Sequence, residues 1–229
     1  MVSVVHAAAS SSASVSSFLL RFFPWQGDFL ELSVVSVKQV GTDCVEITSS
    51  EGPVFFVRTS YLQSVSPDAL TEGALFDESQ AEDIVRAGEA FAVEKKCEGL
   101  LARCEQCRAG LERKMQQKGF SKEAVSLALD YLEGRNFLSD ERFASSWLRI
   151  HSVNKYQGRS RLTSELLSRG ISRSITSRAV DEFFTEHDEE ESCRKAVEKA
   201  TRAGRTGDKL IKYLLDSGFS YRMIQNSLQ

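Results

Sequence analysis

Residues Tyr131–Ile171, YLEGRNFLSDERFASSWLRIHSVNKYQGRSRLTSELLSRGI, decide how the rest of the chain is read. Within them, Ser139-Asp-Glu-Arg-Phe-Ala144 has the form of a helix start. Ser139 can cap, and Asp140 and Glu141 stand where the positive end of the helix dipole favours acids. Phe143, Ala144 and Trp147 then fall on one face. Further on come Leu162, Leu166, Gly170, Ile171 and Ser172, in a spacing that recurs twice elsewhere.

Taking Gly119, Gly170 and Gly218 as origins, eight residues earlier stands Leu111, Leu162 or Leu210. Four earlier stands Met115, Leu166 or Leu214; directly after the glycine comes Phe120, Ile171 or Phe219, and then Ser121, Ser172 or Ser220. Ten after it comes Leu129, Val180 or Leu228. The two leucine-type positions share a helix face, the glycine permits the left-handed residue that ends that helix, and the serine caps the next. The apolar residue between them can staple onto Val125 or Ile224; in the second copy that position is Thr176 and the apolar residue moves to Ile175. A further helix precedes each pair, at about 78–101, 140–153 and 189–203, and the second copy's pair is expected at about 159–169 and 173–184. The result is a mainly α protein of tandem three-helix repeats, about nine helices in a curved array.

Ahead of the repeats the pattern is β. Leu32–Val40 and Cys44–Thr48 flank a turn at Gly41-Thr-Asp43, and Ser49–Pro53 leads into Val54-Phe-Phe-Val57, giving two or three short antiparallel strands that need the helices for support. Ser66-Pro67-Asp68 opens a short helix with Ser66 as cap, ended by Gly73. In the helix expected from Asp77, Glu78, Glu82 and Asp83 suit the first turn, while Gly88 and Gly99 leave one long helix or a broken pair open. The Ser/Ala-rich start lacks a Lys/Arg-bearing segment and reads as a disordered leader, not a secretion signal. The expected organisation is leader 1–27, β-containing extension 28–76, and helical repeats at 77–136, 137–186 and 187–229. No run approaches the ~20 apolar residues of a membrane span. Five cysteines in a long chain suit reduced thiols in a cytoplasm.

The net charge of −3 hides a pattern. From Arg142 to Val180 there are eight basic residues (Arg142, Arg149, Lys155, Arg159, Arg161, Arg169, Arg173, Arg178) against the single acid Glu165. Asp181 to Glu191 then carries seven acids and no base, and 192–229 is again basic. A block of like charge calls for an anionic surface, phosphate or acidic protein, unless the neighbouring acids neutralise it.

Tyr131-Leu132, Phe137-Leu138, Ser139–Ala144, Gly158, Arg161-Leu162, Glu165-Leu166 and Arg169-Gly170-Ile171 together resemble the RecX family, regulators of the RecA recombinase. The resemblance covers about Ala90 to the C-terminus and is densest in the middle repeat; the strands and Gly73-Ala-Leu75 resemble the N-terminal extension of some members. It implies a non-enzymatic modulator, a monomer without cofactor, lying in the groove of a RecA–DNA filament. There it would inhibit or remodel ATP hydrolysis and strand exchange. The chain departs from many relatives in being acidic overall, which concentrates DNA contact on the eight basic residues of the middle repeat. Helix–turn–helix geometry also suits a direct DNA reader, although Lys122-Glu123, Arg173-Ser174 and Tyr221-Arg222 after the caps give no consistent base-reading code. A helical scaffold with a partner unrelated to DNA is the blander alternative.

Catalytic chemistry finds little support. His6, His151 and His187 lie far from any nucleophile–carboxylate arrangement, and Gly204-Arg-Thr-Gly-Asp-Lys209 shares only composition with a P-loop. Cys104-Glu-Gln-Cys107 supplies half a zinc site at most and is assigned to helix packing. Asp140 and Glu141 are assigned to their helix start and not to a metal. Trp147 and Phe143 are assigned to the core, with Trp147 as an alternative partner anchor.

Overall fold

A computed structural model describes residues 31–50, 52 and 54–228, with the side chains of 152–154 excepted. The leader expected at 1–27 lies outside the described residues. Strands β1 (Glu31–Gly41), β2 (Cys44–Ser49), β3 (Phe55–Arg58) and β4 (Leu75–Asp77) precede nine helices among the described residues. These are α1 (Glu78–Leu101), α2 (Arg108–Gln117), α3 (Lys122–Gly134), α4 (Asp140–Lys155), α5 (Arg159–Ser168), α6 (Arg173–Glu186), α7 (Glu189–Arg202), α8 (Gly207–Asp216) and α9 (Tyr221–Ser227). Among the described residues, one compact unit comprises the chain from Glu31 to Glu98 with Lys114–Leu132; the other comprises Gly99–Arg113 and Glu133 to Leu228.

In the first unit the sheet order is β3-β2-β1-β4, all antiparallel. The β1–β2 hairpin closes at Gly41↔Cys44, around the expected turn. A fourth strand joins the expected set: β4 pairs Leu75 with Ser33 and Asp77 with Glu31. Three residues are too few for alternation to show in sequence, and β4 exists only because β1 offers its edge. The short helix at Pro67–Ala69 is a single 3₁₀ turn, and the Ser66 side chain does not cap it. Leu32, Val34, Val45, Ile47, Phe55 and Val57 pack on Ala81, Ile84, Ala87 and Ala90 of α1. α1 runs unbroken through both glycines. Gly88 is a packing requirement, since a Cβ there would sit 3.0 Å from the Phe55 ring, whereas Gly99 faces open space.

Buried polar groups bolt α1 to what surrounds it. Arg58 donates Nε to Glu94 Oε2 (2.8 Å), Nη2 to Glu94 Oε1 (2.5 Å) and Nη1 to Asp43 Oδ1 (2.7 Å). The Tyr61 hydroxyl donates to Glu94 Oε2 at 2.7 Å, and the Arg58 guanidinium lies 4.2 Å from the Tyr131 ring centroid. Glu94 is 0% exposed. Asp83 is not a first-turn acid; its carboxylate accepts the backbone N–H groups of Gln63, Ser64 and Val65 and the Ser64 hydroxyl, fixing the loop above α1. Glu89 accepts from Ser121 N–H (2.7 Å) and Oγ (2.6 Å), holding the start of α3.

The glycine turns take the expected form. Gly119, Gly170 and Gly218 have φ of 85°, 93° and 90°. The residue after each donates back to Met115, Leu166 or Leu214 O, the helix-ending bond that a left-handed residue allows. Ser121, Ser172 and Ser220 then accept from the amides of Ala124, Ile175 and Met223. In the second unit, Leu162, Leu166 and Ile171 enter the core of the middle repeat, and Leu210, Leu214 and Phe219 that of the third. Leu228 departs from the pattern: its counterparts Leu129 and Val180 are 1% exposed and it is 42% exposed, because α9 ends at Ser227.

A joint between successive repeats is itself repeated. Asp140, first residue of α4, accepts from the Arg108 N–H at the start of α2 (2.8 Å). Glu189, first residue of α7, accepts from the Arg159 N–H at the start of α5 (2.7 Å). Counted from the glycines, Arg108 and Arg159 are the same position, eleven before Gly119 and Gly170. The residue before each, Cys107 or Gly158, donates to the carbonyl preceding the next repeat's glycine, Arg169 O (3.6 Å) or Ser217 O (2.9 Å). Backbones approach closely here: a Cβ on Gly158 would lie 2.5 Å from Gly218 O.

Two outcomes follow for stability, both read by urea denaturation. Gly158→Ala and Gly218→Ala each lower it by roughly 2–4 kcal/mol through clash and, at Gly218, left-handed strain; Gly99→Ala, in open helix, raises it by about 0.4–1 kcal/mol. Equal effects at all three would contradict the joint.

The second outcome concerns acid. Burial opposes ionisation of Glu94 and Asp83, but donors from Arg58 and Tyr61, and from Val65, Ser64 and Gln63, overrule it and hold both carboxyls below their ordinary values. Their stabilisation is complete above the ordinary carboxylate range and is lost as pH falls through the lowered values. Glu94→Gln with Asp83→Asn, less stable at pH 7, therefore shows a flatter loss of stability from about pH 5 to pH 2 than the parent.

Candidate interface on the middle repeat

The middle repeat is α4, α5 and α6 around Ala144, Trp147, Leu148, Leu162, Leu166, Ile171, Ala179, Val180 and Phe183, with Cys107 added from before α2. α4 continues to Lys155, two residues past expectation, and Tyr156 ends it at φ 47°. Ser139 caps α4 through the Arg142 N–H.

The structure divides the eight basic residues by what they touch. Arg142 is spent internally: it donates to Glu105 (2.8 Å), Asn136 Oδ1 (2.7 Å) and Phe137 O (2.9 Å), pinning a turn in which Asn136 has φ 58°. Arg159 pairs with Asp181, reaches Glu189 at 3.8 Å, and lies 5.1 Å from the Phe184 ring centroid. Arg161 and Arg169 share Glu165, each at 2.8 Å, and this pairing holds the Glu165 carboxyl below its ordinary value. The Arg169 guanidinium also lies 4.5 Å from the centroid of Trp147, on which His151 stacks at 4.4 Å. Arg178 pairs with Glu141.

Three of the eight remain without a carboxylate partner among the described residues. Arg149 has only a 3.4 Å bond to Ser145 O, and Lys155 and Arg173 are exposed. Beside Arg149, Ile150 is 72% exposed. The acidic block does not blanket the basic one: Asp181 and Glu189 serve Arg159, Asp188 caps α7, and Glu191 pairs with Arg194 and Lys195. The middle repeat thus pairs five of its eight cations with carboxylates and leaves Arg149, Lys155 and Arg173 without one among the described residues.

Sequence reasoning treated the eight as one set. The signal that separates them is i,i+4 spacing for Arg161, Glu165 and Arg169, which predicts local pairing; the pairs across elements left no such trace. The cysteine pair also sits differently from expectation. Cys104 is exposed in the turn after α1, and Cys107 is buried just ahead of α2, so neither packs from within a helix. Among the described residues no group of three or more His, Cys, Asp or Glu could hold a metal ion, and no helix is long and apolar enough to cross a membrane.

Such a fold defines a class: tandem three-helix repeat proteins with a small antiparallel sheet ahead of the repeats. Residues 139–180 match the family model for the RecX second three-helix domain. The regulatory protein RecX of Treponema pallidum (strain Nichols) is 34% identical over 129 residues, which cover 56% of this chain and 79% of that one. That of Caldanaerobacter subterraneus subsp. tengcongensis is 29% identical over 159 residues, covering 69% and 80%. A crystal structure of regulatory protein RecX superposes with a TM-score of 0.64 at 21% identity, covering 85% of this chain and 99% of that one. RecX from Lactobacillus salivarius gives 0.53 at 21%, covering 62% and 95%. The chain belongs to the RecX family of regulatory proteins.

The division of the arginines is measurable. Arg169→Ala, which strips Glu165 and Trp147 of a partner, lowers stability by about 1–2 kcal/mol. Arg149→Ala and Arg173→Ala stay within about 0.5 kcal/mol of the parent. Thermal unfolding of the three variants side by side decides it.

Proposed function

We propose that this protein is a non-enzymatic regulator of a RecA-type recombinase, acting as a cytoplasmic monomer on the recombinase–DNA filament. It docks through the middle repeat and inhibits or remodels ATP hydrolysis and strand exchange. The observation that carries this reading is the set of cations without a carboxylate partner among the described residues, Arg149, Lys155 and Arg173, on the repeat that matches the RecX model. The other five basic residues support the frame, so docking draws on them less. Arg173 also opens α6, the helix after the glycine turn, where a helix-turn-helix reader carries its contacts; this favours direct DNA binding as the second reading.

Co-sedimentation with RecA–single-strand filaments, beside bare single-stranded DNA across a salt series, separates the two. The expected result is tighter association with filaments, and a loss of at least about tenfold in ATPase inhibition for Arg149→Glu/Lys155→Glu/Arg173→Glu with unchanged thermal unfolding. Bare DNA bound as tightly as filaments would replace this reading by the second. In that case the triple variant lowers the salt slope on single strands by roughly 2. Undiminished inhibition by the triple variant would remove the middle-repeat site altogether.

A further inference from the structure

The two joints differ in one donor. At the second, the Gly158 backbone N–H donates to Ser217 O. At the first, the Cys107 thiol donates to Arg169 O at 3.6 Å. A backbone amide is chemically inert, whereas a thiol can be oxidised, and a disulfide sulfur has no hydrogen left to donate. The first joint is therefore closed only while Cys107 is reduced.

Three residues earlier stands a second thiol, and it is exposed. Cys104 lies in the turn after α1, where Gln106 Nε2 donates to its sulfur at 2.9 Å, and neither cysteine belongs to a helix or strand. Two intervening residues of irregular chain can fold to the Cα spacing of about 4.4–6.8 Å that a disulfide requires. The same segment is tied to the middle repeat at three other points. Glu105 accepts from Arg142 Nε (2.8 Å), the Arg108 N–H donates to Asp140 (2.8 Å), and a Cβ on Gly170 would lie 2.5 Å from Ala109 Cβ. Folding 104–107 into a bridge pulls on all three. The other cysteines are poor rivals, since burial raises the thiols of Cys44, Cys97 and Cys193 above their ordinary values and the thiolate is the reactive form.

We infer that Cys104 and Cys107 are a reversible redox pair whose disulfide opens the joint between the start of α2 and the middle repeat. The oxidant is a low-molecular-weight disulfide such as oxidised glutathione. The Cys104 thiol loses its proton and its sulfur attacks the oxidant, forming a mixed disulfide and expelling one glutathione thiolate. Cys107 then gives up its proton and attacks the Cys104 sulfur, forming the bridge and expelling the second thiolate. The two protons end on the two glutathione thiolates, so two protein thiols are oxidised as one glutathione disulfide is reduced. Arg169 O loses its donor, and reduced glutathione reverses each step. None of Arg149, Lys155 and Arg173 takes part, so failure here leaves the proposed function untouched.

The test equilibrates the full chain with oxidised and reduced glutathione at graded ratios, blocks free thiols and digests with trypsin. Cleavage after Arg103 and Arg108 leaves both cysteines in one peptide, so the bridge reads as a loss of two hydrogens from it. The expected result is a bridged peptide at oxidising ratios, with the Arg108 amide hydrogen exchanging at least about tenfold faster and the Arg159 amide, at the thiol-free second joint, unchanged. Asp140→Ala, which loosens the same joint from its other side, raises the ratio of bridged to reduced peptide at least about threefold at fixed glutathione. Cys107→Ser keeps a donor for Arg169 O and holds the Arg108 amide protected at every ratio. Three outcomes overturn the inference: Cys104 carrying glutathione beside a free Cys107 at every ratio; a bridge that leaves Arg108 exchange unchanged; or the same bridged fraction in Asp140→Ala as in the parent.

Discussion

A carboxylate at the first position of one repeat satisfies the unpaired amides at the start of its predecessor's second helix. This contact is what turns a row of helices into an array. Helix starts leave donors exposed, and a buried start without a partner is costly. Asp140 and Glu189 meet that need across a repeat boundary, so each repeat is finished only when the next is in place. The glycine turn supplies the other half, bringing a carbonyl to the Cys107 thiol or to the Gly158 amide, in the second case so close that no side chain would fit at Gly158.

That arrangement explains how charge is used. Acids at helix starts and arginines along the helices are taken up in caps and pairs, several of them at the surface, which gives five of the eight basic residues of the middle repeat a carboxylate partner. The residual cations, Arg149, Lys155 and Arg173, are those that no acid reaches among the described residues, from their own repeat or from a neighbouring one.

Much of the helical architecture was legible in the sequence. The Gly-centred pattern gave three turns, their caps and most core positions, because each depends on local geometry that the residues themselves dictate. What stayed hidden was non-local. β4 is three residues long and is defined by its partner. Asp140 reads as an ordinary first-turn acid, and its use as a cap for α2, thirty-two residues earlier, leaves no periodicity. Arg58, Glu89 and Glu94 drew no notice and Asp83 read as a first-turn acid, since a buried charge is recognised only by its surroundings. Of the candidate site, local pairing at Glu165 was readable, whereas the Arg159–Asp181 and Arg178–Glu141 pairs required the packing of α4, α5 and α6.

The Arg58–Glu94–Tyr61–Asp43 group has a consequence for motion. Glu94 has no solvent to retreat to; its partners Arg58 and Tyr61 come from β3 and the turn after it, and Arg58 is in turn held by Asp43 of the β1–β2 turn. Lifting the sheet a little from α1 would strand an ion in an apolar setting before water could reach it. Such a latch has no half-open position, so the amides of β2 and β3 should exchange their hydrogens together, in one concerted release of the sheet.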